Sequence, residues 1–274
     1  MYCKYSYKGL NFEGISEGGI RTSIIMPSLS ILFDIGNLPV DHVHHENLLL
    51  THGHLDHSAG VPYYISQRSL RKLSPPNIYL PEDLFEDMNQ ILKIYQKIEG
   101  FDYVYNLKFP KINEFYPLNN NHSFKVFKTH HRIVSQGYTI YEKNKKLKEE
   151  FKNISKDEIL NLKFKGVELS EDKMVPLVSF SGDTKIEYVL ENSDVSNSKI
   201  LFLECTYLDD KRDTKRAREW GHIHLDEIIH YAKEFNNEKI ILIHFSKRYS
   251  NKMIKELVYS KLPSTLKEKV ECFI

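Results

Sequence analysis

Short runs of apolar residues recur along the chain, and polar residues bound most of them. Runs of about four to eight such residues without helical spacing are typical of strands. This pattern predicts strands within seven segments, 22–36, 47–52, 123–131, 137–142, 175–183, 199–204 and 239–245. Segments with a helical period predict helices at 57–73, 81–98, 225–236 and 250–262. Strands interspersed with helices indicate an α/β protein whose helices cover the faces of its sheets.

Ionisable residues stand at the ends of six predicted strands. They are Asp34, the cluster from His52 to His57, His131, Asp183, Glu204 and His244. In α/β folds the loops at the strand ends converge above a rigid sheet. We therefore expect these groups to share one site.

The sequence THGHLDHSAG, residues 51–60, contains three histidines and an aspartate within six positions. His52 and His54 alternate, so that their two imidazoles can face one ion. Asp56 and His57 follow and can offer a carboxylate and an imidazole to a second position. These ligand types suit zinc or a similar divalent ion. The competing interpretation, a helix cap in a solvated loop, requires only one of these residues.

Length and composition narrow the setting. The 274 residues contain no internal repeat or low-complexity linker, so we expect a single domain, 1–274. No apolar run approaches the length needed to span a bilayer, and no signal-peptide pattern opens the chain, so neither membrane association nor secretion is expected. Three widely spaced cysteines fit a reducing, cytoplasmic location. The net charge of +1 confines any nucleic-acid surface to a local patch.

The histidine cluster and five later motifs resemble the metallo-β-lactamase superfamily and, within it, the tRNase Z family. These motifs are HRIVSQGY (131–138), FSGDTK (180–185), LECTY (203–207), GHIHLDEI (221–228) and HFSKRY (244–249). Their order and spacing are most similar to the short form found in plants, and the resemblance runs from about Gly9 to the C-terminus.

The resemblance implies a fold, an activity and partners. The fold is an αββα sandwich. The activity is removal of the 3′ trailer from precursor tRNA by a hydroxide that two metal ions activate, which leaves a 3′-hydroxyl on the tRNA. Two Zn²⁺ ions per subunit are implied, with Mn²⁺ or another divalent ion as the alternative. A homodimer is also implied, and a nuclear location is the alternative to the cytoplasm in a eukaryote.

The resemblance also assigns roles to individual residues. One zinc is held by His52, His54 and His131, the other by Asp56, His57 and His244, and Asp183 bridges both. Asp56 also orients the attacking water. Glu204 and His222 are implied as the pair that protonates the departing 3′ oxygen.

Two pairs of closely spaced histidines leave alternatives open. His130 competes with His131, which is favoured because it lies six residues before the glycine of SQGY, as the family's ligand does. His224 competes with His222, which is favoured because it directly follows the glycine of GHIH. Asp34 is expected to hold the cluster loop rather than to bind metal.

Basic residues predict where the substrate lies. The segment KRDTKRARE, 211–219, carries five basic and two acidic residues and leads to His222. Arg216, Arg218 and Arg248 are therefore predicted to contact phosphates, and Tyr249 to stack on or support the single-stranded 3′ end. The alternative for the segment is a solvated charged turn.

A lysine-rich segment, 142–166, lies between two of the candidate ligands. Residues 141–166 contain eight lysines and five acidic residues. In bacterial tRNase Z this interval holds an arm that grips the tRNA elbow, so the segment is interpreted as a shortened arm. It lacks the glycine-proline motif of that arm, and ordinary charged helices are the alternative.

Two other functions remain open from the sequence. A small-molecule phosphodiesterase of the same superfamily, acting for example on cyclic nucleotides, needs the same metal ligands but no basic run. A non-catalytic RNA-binding relative is disfavoured because all seven candidate ligands are present.

Overall fold

The computed structural model describes residues 2–37 and 40–274, and within them the strands form two seven-stranded sheets. In each sheet the spatial order of the strands follows the chain. The first sheet contains β1 Cys3–Tyr7, β2 Leu10–Glu17, β3 Arg21–Met26, β4 Ile31–Phe33, β5 Asn47–Leu49, β6 Asn77–Tyr79 and β7 Asn106–Lys108. The second contains β8 Tyr116–Pro117, β9 His122–Lys128, β10 Gln136–Leu147, β11 Ser170–Phe180, β12 Ile200–Glu204, β13 Lys239–Ile243 and β14 Val270–Cys272.

Helices connect the strands and cover the sheets. They are α1 Leu55–Ser58, α2 Val61–Leu70, α3 Glu82–Glu99, α4 Lys156–Phe164, α5 Glu187–Leu190, α6 Ser193–Ser196, α7 Thr214–Glu219, α8 Leu225–His230, α9 Asn251–Lys261 and α10 Ser264–Lys267. None of the helices in the described part of the chain has the length and apolar character needed to cross a membrane.

Three apolar layers hold the sheets and helices together. The layer between the sheets includes Phe33 of β4 and Phe180 of β11, whose rings stack with centroids 4.9 Å apart. The outer face of the first sheet packs against α2 and α3. The outer face of the second sheet packs against the helices after β11, including α8 and α9. The predicted α/β class and αββα sandwich are confirmed.

The two sheets share a pairing pattern that explains where the site forms. Strands β1 to β4 and β8 to β11 pair antiparallel, whereas β4 to β7 and β11 to β14 pair parallel. Parallel strands end at the same edge of a sheet. Asp34 and His52 therefore emerge beside each other, as do Asp183, Glu204 and His244.

Some elements differ from the pattern-based prediction. The segment 22–36 splits into β3 and β4 because the 3-10 helix Pro27–Leu29 interrupts it, and the predicted helix 57–73 splits into α1 and α2. At that split the N–H of Gly60 donates to the carbonyl of Ile35, where a Cβ would lie 2.4 Å from the same oxygen. The pattern missed β1, β2, β6 to β8 and β14. Most of these strands have too few residues to show alternation.

The lysine-rich segment forms a two-stranded ribbon with a helix between its strands. β10 and β11 pair from Glu142 opposite Val175 to Leu147 opposite Ser170. The connection contains α4, which begins with a capping box between Ser155 and Glu158. Its apolar residue Phe164 is 95% exposed.

Replacing Phe180 with alanine should destabilise the fold, because it removes a fully buried ring from the layer between the sheets. We expect a loss of about 3–5 kcal/mol in the free energy of unfolding, measured by urea denaturation. The control Phe164→Ala should change that free energy by less than about 0.5 kcal/mol. Equal losses in the two variants would contradict this description of the core.

Candidate metal centre

Two groups of nitrogen and oxygen donors meet at the shared edge of the sheets. In the first, His54 Nδ1 lies 3.1 Å from His52 Nε2 and 3.3 Å from His131 Nε2. Nitrogens bound to one tetrahedral zinc at about 2.0–2.1 Å are separated by about 3.3 Å. The three imidazoles therefore have the spacing of ligands around a single ion.

The second group has the same spacing. His57 Nε2 lies 3.3 Å from His244 Nε2. Asp56 Oδ2 lies 3.5 Å from the first of these nitrogens and 3.4 Å from the second. The N–H of Gly19 donates to the same Asp56 oxygen at 3.0 Å, which fixes the carboxylate toward the two rings.

The carboxylate of Asp183 lies between the two groups. Its Oδ2 faces His52 Nε2 at 3.7 Å and His131 Nε2 at 3.9 Å, and its Oδ1 faces His57 Nε2 and His244 Nε2 at 3.3 Å each. The side chain is buried, and Oδ1 has no hydrogen-bond partner. A buried carboxylate oxygen without a partner is costly unless a cation compensates it. The residues therefore fit a metal site in which the Asp183 carboxylate lies between two groups of candidate donors.

The protonation states support this interpretation. Burial lowers the pKa of His52, His54 and His131, so that these rings are neutral near neutral pH, as metal ligands must be. Burial also acts to lower the pKa of His57, but the carboxylates of Asp183 and Asp34 outweigh burial and raise that pKa well above its usual value. The carboxylates here therefore favour a positive charge at this position, and a divalent cation supplies one.

Asp34 and Thr51 hold two of the candidate ligands, His57 and His52, in position. His57 Nδ1 donates to Asp34 Oδ2 at 2.7 Å, and His52 Nδ1 donates to Thr51 Oγ1 at 2.9 Å. The Thr51 hydroxyl in turn donates to Asp34. Asp34 thus orients the cluster loop, the role expected from the sequence. With both Nδ1 atoms donating, Nε2 is the atom of each ring that faces a metal, and the Nε2 of His57 must lose its proton when it binds one.

Two further candidate ligands, His131 and His244, are held in the same way. His131 Nδ1 donates to the carbonyl of Gly221 at 2.9 Å. His244 Nδ1 donates to Thr206 Oγ1 at 3.0 Å, and that hydroxyl donates to Glu204 Oε2 at 2.7 Å. Thr51 and Thr206 were not predicted as site residues, although each lies in a quoted motif.

A carboxylate–imidazole pair lies beside the donors. Glu204 is fully buried, and its Oε1 accepts from His222 Nδ1 at 2.9 Å. The ring of His222 lies 5.2 Å from that of His131 and 5.4 Å from that of His244. Burial acts to lower the pKa of His222, but the Glu204 carboxylate outweighs burial and raises that pKa to about 9. His222 is therefore protonated near neutral pH.

Comparison with known proteins identifies the family. A family model described as the β-lactamase superfamily domain matches residues 36–245. The chain is 40% identical to tRNase Z TRZ1 of Arabidopsis thaliana over 96% of this chain and 94% of the relative. It is 38% identical to the chloroplastic tRNase Z TRZ2 of the same plant, over 94% of this chain and 73% of the relative.

The chain belongs to the tRNase Z family. It is therefore an enzyme of the phosphodiester-hydrolysing endoribonuclease class. The crystal structure of the short form of human tRNase Z has the same fold, with a TM-score of 0.60 and 18% identity over 86% of this chain and 93% of the human chain. The resemblance stated from the sequence motifs is confirmed.

In this tRNase Z family member, only one histidine of each ambiguous pair faces the donors. His131 belongs to the first group, whereas His130 Nε2 lies 2.7 Å from Glu191 Oε2. His222 pairs with Glu204, whereas the buried His224 accepts the N–H of Asp226 and caps α8.

The two predicted substrate contacts after His244, Arg248 and Tyr249, differ in how exposed they are to solvent. Arg248 is exposed, with its guanidinium 6.0 Å from the Tyr249 ring. Tyr249 is only 4% exposed, and its hydroxyl donates to Asp209 Oδ1 at 3.0 Å, so it supports the loop and offers no open face for stacking.

The arginines of the basic segment also have carboxylate partners. Arg216 pairs with Glu219 at 2.9 Å, and both side chains are about half exposed. Arg218 pairs with Glu227 at 2.7 Å and also with Glu187. The charge of Arg218 is therefore matched by two carboxylates, which favours a role in holding α7 over a phosphate contact.

The backbone before Asp183 leaves no room for a side chain. Gly182 has φ +58°, and a Cβ there would lie 2.6 Å from the Thr51 side chain, which orients both Asp34 and His52. Gly182→Ala should therefore displace ligand-positioning groups and weaken zinc affinity by about 10–100-fold, measured by competition with a chelator.

Gly166→Ala is the matched control for this substitution. Gly166 has φ +76°, but nothing lies within 4 Å of its Cβ position, so the variant carries the backbone strain without the clash. Its zinc affinity should equal that of the unmodified chain. Equal affinity in both variants would show that the Thr51 contact does not orient the ligands.

Proposed function

We propose that this protein is a zinc-dependent endoribonuclease that removes the 3′ trailer of precursor tRNA and leaves a 3′-hydroxyl on the tRNA. The observation that carries the proposal is the buried carboxylate of Asp183, which faces two groups of metal-type donors beside a Glu204–His222 pair. The relatives named tRNase Z direct the choice of substrate.

The seven donor residues would hold two Zn²⁺ ions, with Mn²⁺ or another divalent ion as the alternative. His52, His54 and His131 form one side, Asp56, His57 and His244 the other, and Asp183 serves both. When bound, such ions would polarise a phosphoryl oxygen and lower the pKa of a bound water molecule.

The protein's own residues would then move the protons. Asp56, held by the Gly19 N–H through Oδ2, orients the attacking water and accepts its proton. The water oxygen bonds to phosphorus as the bond from phosphorus to the 3′ oxygen breaks. His222, whose Nδ1 is held by Glu204, donates its Nε2 proton to the departing 3′ oxygen. The products are a 3′-hydroxyl and a 5′-phosphate on the trailer.

The substrate would approach over the exposed basic residues near His222. We assign Arg248 and Arg216 to phosphate contacts, Tyr249 to support of the Arg248 loop, and Arg218 to positioning of α7. Phosphate contacts of this kind supply most nucleic-acid affinity.

The ribbon and helix of residues 142–166 would act as a shortened arm on the tRNA. Its surplus of three lysines over acidic residues and its exposed Phe164 support contact with an RNA or with a partner rather than packing within the domain.

Residues 1–274 would form one hydrolase domain, because both halves of the chain contribute residues to the apolar layer between the sheets. A cytoplasmic location accords with the three free cysteines, and the nucleus is the alternative in a eukaryote.

A homodimer is proposed through the outer face of α3. Ile91, Ile94, Tyr95 and Ile98 are exposed at i, i+3, i+4 and i+7, and they form a stripe beside the buried face of the same helix. The N-terminal half of the helix is acidic, and Lys93 and Lys97 lie in its C-terminal half. Two copies packed antiparallel about the middle of this stripe would pair its apolar residues, and the acidic N-terminal half of each helix would extend beyond the contact.

Replacing both Ile94 and Ile98 with glutamate should prevent this association. We expect the unmodified chain to sediment as a dimer at micromolar concentration and the double variant as a monomer. Leu160→Glu, at an exposed apolar position on α4, is the control and should remain dimeric. An unmodified chain that sediments as a monomer would rule out the dimer.

Histidine substitutions separate ligand from proton donor. His131→Ala should lose bound zinc, whereas His222→Ala should retain zinc and lose at least about 100-fold in kcat. His130→Ala, next to the ligand but paired with Glu191, should retain both. Metal analysis and single-turnover cleavage measure the two properties. Loss of zinc in His222→Ala would make that residue a ligand, a role that its 4.0 Å distance to Asp183 leaves geometrically open.

The function itself is tested with a 3′-extended precursor tRNA labelled at its 5′ end. A single cut just past the acceptor stem, abolished by a chelator and restored by Zn²⁺, is the expected result. A fully zinc-loaded enzyme that leaves this RNA intact but hydrolyses a cyclic nucleotide would overturn the substrate assignment.

A further inference from the structure

A small cavity lies close to His222, and its lining combines arginines with aromatic rings. It has a volume of about 220 Å³ and is lined by Tyr207, Arg212, Arg216, Trp220, Ser246 and Arg248. Three guanidinium groups and two aromatic rings surround this space, and no carboxylate belongs to the described residues that line it. Such a lining suits an anion joined to a flat, unsaturated ring.

The walls of the cavity are continuous with the metal centre. Tyr207 directly follows Thr206, whose hydroxyl holds His244, and the Tyr207 ring lies 6.2 Å from that of His222. Trp220 directly precedes Gly221, whose carbonyl holds His131. A phosphodiester positioned at the metal centre would therefore place its neighbouring nucleotide in or beside this cavity.

The tryptophan ring is open to a ligand. Trp220 is 42% exposed, although it is a large aromatic residue next to buried positions. The guanidinium of Arg132 lies 4.7 Å from the ring and that of Arg216 lies 5.3 Å from it. Cation–π contacts at exposed sites are weaker than base–aromatic stacking. An incoming base can therefore displace an arginine from the ring, and the released guanidinium remains near enough to meet a phosphate.

We propose that Trp220 and Tyr207 form a base-stacking subsite for one unpaired nucleotide beside the scissile phosphate, with Arg212 and Arg248 contacting its phosphate. The inference rests on the proposed function and adds to it the residues that recognise single-stranded RNA at the cut. Stacking tolerates every base, so this subsite selects for an unpaired nucleotide rather than for a sequence. A bare anion would need the arginines but not the two rings.

The first test uses the fluorescence of Trp220, the only tryptophan of the chain. The zinc-loaded enzyme is titrated with a single-stranded RNA trinucleotide whose internucleotide linkages resist hydrolysis, and in parallel with inorganic phosphate, with binding of each measured by equilibrium dialysis. We expect bound trinucleotide to quench the emission at least twofold and bound phosphate to leave it nearly unchanged. Equal quenching by both would reduce the cavity to an anion site, and trinucleotide binding without quenching would remove Trp220 from the contact.

The second test compares kcat/KM for precursor tRNA with kcat/KM for an otherwise identical RNA in which the unpaired nucleotides flanking the scissile phosphate lack their bases. Trp220→Ala should lower the ratio of these two values about tenfold. Trp220→Phe, which retains an aromatic face, should recover most of that loss. Tyr259→Ala, which removes a 38% exposed ring from α9, should leave the ratio unchanged.

The outcomes separate this inference from the proposed function. If the unmodified enzyme cuts precursor tRNA and Trp220→Ala keeps its ratio, the subsite is wrong and the function stands. A parallel loss on both substrates would assign Trp220 a structural role and also overturn the subsite. An unmodified enzyme that cannot cut precursor tRNA would remove the proposed function, on which the subsite depends.

Discussion

The buried carboxylate of Asp183 is the constraint on which the rest of the site depends. One of its oxygens faces two imidazoles of the first donor group, and the other faces two imidazoles of the second. A carboxylate removed from water in this way must be compensated by positive charge. The raised pKa of His57 is one response of the surroundings to that requirement, and a metal cation held by the donor groups would be another.

This requirement explains why the site needs both sheets. His52 follows a strand of the first sheet, whereas Asp183 and His244 follow strands of the second. The N–H of Gln136 donates to the carbonyl of Thr51 at 3.0 Å, and Tyr138 donates to the carbonyl of Leu50, so the second sheet is bonded directly to the loop that carries the cluster. Because each donor group combines residues that follow strands of both sheets, the packing of the sheets sets the distances within each group.

Backbone strain is concentrated at the same edge. Asp34 and His244 adopt left-handed conformations, with φ of 55° and 61°, which are unfavourable for residues with a Cβ. Each is held there by hydrogen bonds: Asp34 to Thr51 and His57, and the His244 N–H to Ser16. The surrounding fold thus stabilises backbone conformations that the isolated loops would not favour. These conformations bring the donor side chains together.

The sequence by itself determined the types of residue at the site and most of its local order. The H-x-H-x-D-H spacing puts four donor residues in one loop, and the apolar runs before Asp34, Asp183 and His244 predict strands that end at a common edge. These properties are local, because they depend on side-chain chemistry and on the period of a strand. The family and its fold could be inferred from the same motifs.

Only the tertiary structure decided which side chains face the site. In the sequence His130 and His131 are nearly equivalent, but only the second approaches the other imidazoles. Tyr249 is predicted near the substrate, yet packing buries it, whereas Trp220 belongs to none of the motifs and lines a cavity with Tyr207, whose ring lies 6.2 Å from that of His222. The direction of a side chain depends on how the two sheets and their loops pack against each other, and no local pattern encodes that packing.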